Sequence, residues 1–183
     1  DTHRGMRGRV ERGFAAGGAP YGYRLEKPDP TGPSSYVIVP EAAAIVRRIF
    51  EDYLKGASLR DLAHGLNRAE VASPRPRALN KLRPSWSITA LRSILLNPFY
   101  KGEVLWNRSQ WIKDHETGRR RRFKRPESEW VREERPELAI VDPETWEGVR
   151  ASMRERAGTY DRTPDGSRFA VTTCLSTAAP APE

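Results

Sequence analysis

The chain has 183 residues, of which 37% are apolar and 31% charged, and it carries a net charge of +8. That length is enough for one domain or two small ones with a real core, and no apolar run approaches the roughly 18 residues a membrane span needs. The single cysteine, Cys174, excludes an internal disulfide framework and fits a reducing, cytosolic setting.

The charge is concentrated rather than spread. Residues 1–27 sum to +3, 28–74 to −1, 75–125 to +11 and 126–183 to −5. Two separate basic blocks are how a polyanion-binding surface looks in sequence. Arginine outnumbers lysine 26 to 6, and its planar fork suits phosphate and guanine, although a GC-rich genome biases the count the same way.

The first residue is Asp1, with no initiator Met, so a piece of a longer protein is expected. In the opening, Arg4, Arg7, Arg9 and Arg12 recur too closely for one helical stripe but suit a segment lying along a phosphate rail. Gly13, Gly17 and Gly18 let a backbone enter a space that side chains block. A basic, glycine-bearing arm fits a minor groove; a flexible leader is the other reading.

From Pro20 to Pro40 the sequence reads as a hairpin, "YGYRLE" and "SSYVIV" joined by the turn-rich "KPDPTGP". Pro40 opens a helix with Ala42, Ile45, Val46, Ile49, Phe50, Tyr53 and Leu54 as its apolar stripe, stopped by Gly56. "SLRDLAHGLNR" adds a second, with Ser58 as N-cap and Asp61 close to a capping box. A proline-broken basic loop follows. "WSITALRSILLNP" is a third, capped by Ser87, with Trp86 packing back on Leu91. Its Ile88, Leu91 and Leu95 point inward, its Thr89, Ala90, Ser93 and Asn97 outward, and Arg92 lies on the flank.

"FYKGEVLWN" reads as a strand, "SQWIKD-HETG-RRRRFKR" as a hairpin with a basic returning arm, and "EWVREER" and "LAIV" as short extended pieces. "DPETWEGVRASMRERAG" closes the fold as a helix with Asp142 as N-cap and Trp146, Val149 and Met153 buried. Residues 159–183 turn polar and then Ala/Pro-rich, which predicts disorder.

The expected fold class is α+β: a mostly helical, helix-turn-helix-like core with small antiparallel β-hairpins. The second and third helices match such a pair except for a linker longer than three or four residues. An ordinary three-helix packing unit with a solvated face fits the pattern equally well. The "RRRRFKR" run reads as DNA-backbone contact, because self-repelling cations are relieved by phosphates; a solubilising edge arm is the alternative. Catalytic signals are thin. His3, His64 and His115 are scattered, no Cys-x-x-Cys exists, the Glu133–Glu134 pair reads as solvated, and no phosphate-cradling Gly-x-x-x-x-Gly-Lys loop is present. No metal, cofactor or catalytic residue is expected.

Four segments together, "GRVERGFAAGGAPYGYRL", "PEAAAIVRRIFEDYLKGASLRDLAHGLN", "WSITALRSILLNPFYKGE" and "LAIVDPETWEGVRA", resemble the recombinase domain of large serine recombinases over about residues 4–157. The glycine-glycine-x-proline-tyrosine-glycine-tyrosine string and the tryptophan-to-"NPFYKG" block are the specific parts. The resemblance implies a domain that grips a recombination attachment site in double-stranded DNA, in a parent that acts as a dimer or tetramer and carries its catalytic serine outside this chain. It implies that residues 1–18 end a long helix and cross the minor groove, that 19–158 form the domain, that helix 87–97 reads the major groove and that 119–125 touch the backbone. A cytoplasmic, nucleoid-associated bacterial or phage protein is implied as well.

The expected DNA-contacting set is Arg4, Arg7, Arg9, Arg12, Gly17, Gly18, Tyr21, Arg83, Ser87, Thr89, Ala90, Arg92, Ser93, Arg119, Arg120, Arg121, Arg122 and Lys124. The sequence departs from the family pattern in showing no catalytic domain, and "VTTCLSTAAPAPE" lacks the second cysteine of a zinc ribbon. A stand-alone regulator, an RNA-binding protein and a nuclease remain as alternatives.

Overall fold

The computed structural model describes residues 2–74, 85–115 and 117–158. Arg83 and the tail from 159 onward lie outside the described residues. The elements run α1 (Thr2–Glu11), β1 (Tyr23–Glu26), β2 (Ser35–Ile38), α2 (Pro40–Leu54), α3 (Leu59–Arg68), α4 (Ile88–Leu95), β3 (Glu103–Trp106), β4 (Ser109–Lys113), β5 (Arg120–Lys124), β6 (Val131–Glu134) and α5 (Pro143–Gly158). The strands pair antiparallel as three separate two-stranded ribbons, β1–β2, β3–β6 and β4–β5. This is the α+β mixture expected.

Helix α2 starts where Pro40 supplies a helical φ and Glu41 meets the positive N-terminal end. Its buried face is Ala43, Val46, Ile49, Phe50 and Tyr53. The stripe is rotated from the expected one: Ala42 and Ile45 are half-buried and Leu54 is exposed, because Ala43 faces the centre. Ser58 Oγ accepts the Asp61 amide at 3.2 Å and donates to the Asp61 carboxylate at 2.7 Å, starting α3. That pair of bonds holds the Asp61 carboxyl below its ordinary range. Ser87 Oγ accepts the Ala90 amide at 3.1 Å, and Asp142 Oδ2 accepts the Thr145 amide at 2.7 Å, so all three expected caps form.

The core gathers α2, α3, α4, α5, Trp86, Phe99, Tyr100 and the 138–141 segment, with Tyr23 of β1 packed on top. Burying a phenol requires a partner for its hydroxyl. Tyr100 donates to Tyr21 O at 2.8 Å and Tyr23 to Leu138 O at 2.6 Å, while burial pushes both phenols well above the ordinary tyrosine range. The amides of Ile140 and Val141 both donate to Tyr100 O at 3.0 Å, closing the seam between distant parts of the chain.

Residues 98–101 form a 3-10 turn, not the start of a strand. Pro98 sits in its first turn, Asn97 Oδ1 accepts the Phe99 amide at 3.2 Å, and Gly102 ends it at φ +88°. A Cβ on Gly102 would lie 2.6 Å from Arg135 O. Gly22, at φ +94°, has Ile140 Cδ1 3.0 Å from where its Cβ would stand. The two most specific sequence blocks therefore carry glycines that the packing itself demands.

Candidate nucleic-acid interface

Three groups of expected contact residues occupy three structural settings. The first is α1. Residues 2–11 are helical, which corrects the extended arm read from the arginine spacing, although it agrees with the helix end the resemblance implied. The arginines do fail to form one stripe; the helix is held instead by its other side. Val10 is buried, and His3 lies against Trp106, with ring centroids 4.7 Å apart, its Nε2 3.0 Å from Asn107 Oδ1.

At the far end, Arg135 donates to Gly13 O at 2.9 Å and to Val10 O at 3.5 Å. A guanidinium there faces the negative pole of the helix and adds to the Gly13 amide that Val10 O already accepts at 2.9 Å. Arg4, Arg7, Arg9 and Arg12 stay exposed. Arg7 is paired to Glu11 at 2.8 Å, and Arg12 donates to Gly8 O at 2.8 Å. After α1 the chain is tied by Arg135 on Gly13 O and by the Ala15 amide on Ser34 O at 2.7 Å; Gly17 and Gly18 follow, both exposed.

The second setting is α4. Leu91, Ile94 and Leu95 are buried, and Thr89, Arg92 and Ser93 are exposed with Ala90 half-buried. Ser93 Oγ donates to Thr89 O at 2.9 Å. Ile88, expected inward, opens the first turn of α4 and is 46% exposed. Asn97, expected outward, caps the 3-10 turn instead.

What fixes α4 against α3 is a contact the sequence reading did not anticipate. Asn67 accepts the Trp86 amide at 2.7 Å and donates its own amide to Trp86 O at 3.0 Å, while Trp86 Nε1 donates to Val71 O at 3.0 Å. The two ends of the long linker are thus clasped together. Tyr21 packs edge-on to this Trp86, with centroids 5.0 Å apart.

The third setting is the β4–β5 hairpin. Its register pairs Ser109 with Lys124, Gln110 with Phe123, Trp111 with Arg122, Ile112 with Arg121 and Lys113 with Arg120. Every β5 residue is exposed, and Trp111 is 65% exposed. At its base Trp130 donates Nε1 to Arg125 O at 3.0 Å and is ringed by Arg108, Lys124 and Arg132 at 5.3, 5.2 and 5.7 Å. Glu127 pairs with Lys124 and with Arg132, both at 3.7 Å.

Asn107 donates to Glu129 O at 2.9 Å while facing His3, so α1 and the hairpin share the β3–β6 ribbon as a common mount. Helix α4 belongs to the helical unit, joined to that ribbon through residues 97–102. Among the described residues, no cluster of His, Cys, Asp or Glu could hold a metal ion and no helix is long and apolar enough to cross a membrane.

The model of the family described as Recombinase matches residues 40–156. The chain belongs to the Recombinase family. That match begins at α2 and ends inside α5, so it takes in the clasped helix pair, the hairpin and the β3–β6 ribbon of this recombinase domain. No curated protein matches the chain.

Solved structures share its fold, among them the following two. One is a crystal structure of an LSR–DNA complex, at TM-score 0.54 and 15% identity, covering 87% of this chain and 40% of that one. The other is a structure from work on the sequence requirements of the Listeria innocua prophage attP site, at TM-score 0.51 and 16% identity, covering 88% and 54%. The recombinase domain thus spans about half the length, or less, of the proteins it resembles.

Proposed function

We propose that this recombinase domain binds double-stranded DNA sequence-specifically, as the reader of one half of a recombination site, and positions a catalytic domain that belongs to the parent serine recombinase. The observation that carries this reading is α4: a short helix with small polar residues and one arginine outward, an apolar side sunk in the core, and its N-terminus locked by Asn67. Small outward residues let a helix backbone approach base edges, where Ser, Thr and Arg read donors and acceptors. Helix α1 and the basic hairpin supply the sequence-independent phosphate contacts that set register. The family membership and the DNA-complex relative support the same partner.

The test uses the intact chain and a duplex selected from a random library. Specific binding whose log affinity falls steeply with log salt is expected, together with weaker binding to structured RNA, whose deep major groove hides its bases. Ser93→Glu places a charge at the reading surface without touching the core, so specific binding is lost while the melting temperature is kept. Specific binding that survives Ser93→Glu removes α4 from the reading role. Supercoiled plasmid incubated with the chain and Mg²⁺ stays uncut, because the nucleophile belongs to the separate catalytic domain.

A further inference from the structure

The basic hairpin is two-faced. Residues directly opposite in an antiparallel ladder share a face, and neighbours along a strand alternate. The register therefore puts Ser109, Trp111 and Lys113 with Lys124, Arg122 and Arg120 on one side, and Gln110 and Ile112 with Phe123 and Arg121 on the other. One side-chain contact agrees with that division: Arg122 Nε donates to Ser109 Oγ at 2.8 Å. Of the ladder residues, one side thus carries four cations around an exposed tryptophan, Lys124 at its base being paired to Glu127. The other has a single cation beside Ile112 and Phe123, each nearly half exposed.

We infer that the hairpin lies on the duplex by its Trp111 side alone, with Lys113, Arg120 and Arg122 along one phosphate rail and the Trp111 ring against deoxyribose, and that Arg121 makes no phosphate contact. This rests on the DNA-binding reading above and narrows it. Alternate residues of β5 stand about 6.8 Å apart, so Arg120, Arg122 and Lys124 form a straight row suited to tracking a backbone. Lys124 is held at the base by Glu127 and Trp130, which leaves the outer part of the row for the ligand. A ribbon inserted into the major groove, which is wide enough to admit one, would instead place both sides between phosphate walls. Ile112 and Phe123 give the second side nothing to offer phosphates.

The experiment compares R120A, R121A, R122A and W111A in the intact chain, measuring the affinity for a mixed-sequence duplex by fluorescence anisotropy between about 50 and 200 mM salt. R120A and R122A each reduce the slope of log affinity against log salt by about 0.9, and R121A leaves it unchanged. W111A weakens binding several-fold at every salt concentration without altering the slope. R120A and R121A are adjacent, exposed and chemically identical changes, so each controls for the folding of the other. A slope loss for R121A equal to that for R122A overturns the one-sided arrangement in favour of groove insertion. No slope change in any variant, with the parent still steep, overturns hairpin contact while leaving the DNA-binding reading intact. A flat response from the unaltered chain is the separate result that removes that reading.

Discussion

Asn67→Ala isolates the clasp between the second and third core helices. The substitution removes two hydrogen bonds, of 2.7 and 3.0 Å, and leaves the Trp86 amide and carbonyl without their partner. A typical internal hydrogen bond contributes about 1 kcal/mol net, and a buried polar group left unpaired costs about 1–3 kcal/mol. Asn67 itself is exposed, so water reaches the vacated position and the total sits near the low end, about 2 kcal/mol. For a chain of this size that lowers the melting temperature by roughly 4–8 °C.

Asn67→Asp is the sharper variant. It keeps the acceptor for the Trp86 amide but turns the donor into a carboxylate oxygen aimed at Trp86 O, so it is no more stable than the alanine variant. Urea titration gives the stability, and anisotropy on a selected duplex gives the binding, which falls more than the lost stability accounts for because α4 loses its fixed N-terminus. A stability change below about 0.5 kcal/mol for both variants, with binding intact, refutes the clasp as the element that sets helix α4.

Gly102→Ala forces a side chain onto a left-handed residue and into Arg135 O, backbone that has little room to yield, and destabilises by about 3 kcal/mol in urea titration. Gly5→Ala, by contrast, meets nothing within 4 Å inside α1 and raises stability by up to about 1 kcal/mol. Tyr23 and Tyr100 are held neutral by burial, their folded pKa values lying above the unfolded value of about 10. Their contribution is complete below pH ~10 and is lost as pH rises from there toward the folded values. Tyr100→Phe therefore flattens the alkaline fall in stability while lowering the stability at neutral pH, as thermal melts across that range will register.

The capped elements were legible because their signals are local. Ser58, Ser87 and Asp142 each precede an apolar period and each accepts the expected amide. The β4–β5 hairpin was equally readable from its strand-like flanks and the intervening Thr-Gly turn. Helix α1 was legible only through the family resemblance; its residue pattern, with two glycines and four charges, argues against a helix that is in fact held from outside, by Arg135 at one end and by Trp106 and Asn107 at the other. Phe99 and Tyr100 read as strand residues, yet Pro98 and Gly102 bracket a tight turn that sends both rings inward. The Asn67 clasp left no trace in the spacing, since its partner lies 19 residues away and pairs through backbone atoms that any residue would offer.

That clasp also bears on how such a domain can change over time. The tie from residue 67 uses only the backbone N–H and C=O of residue 86, so the demand for chemistry falls on position 67, where one side chain must accept and donate at once. Position 86 is held to tryptophan on other grounds, its buried ring and its indole bond to Val71 O.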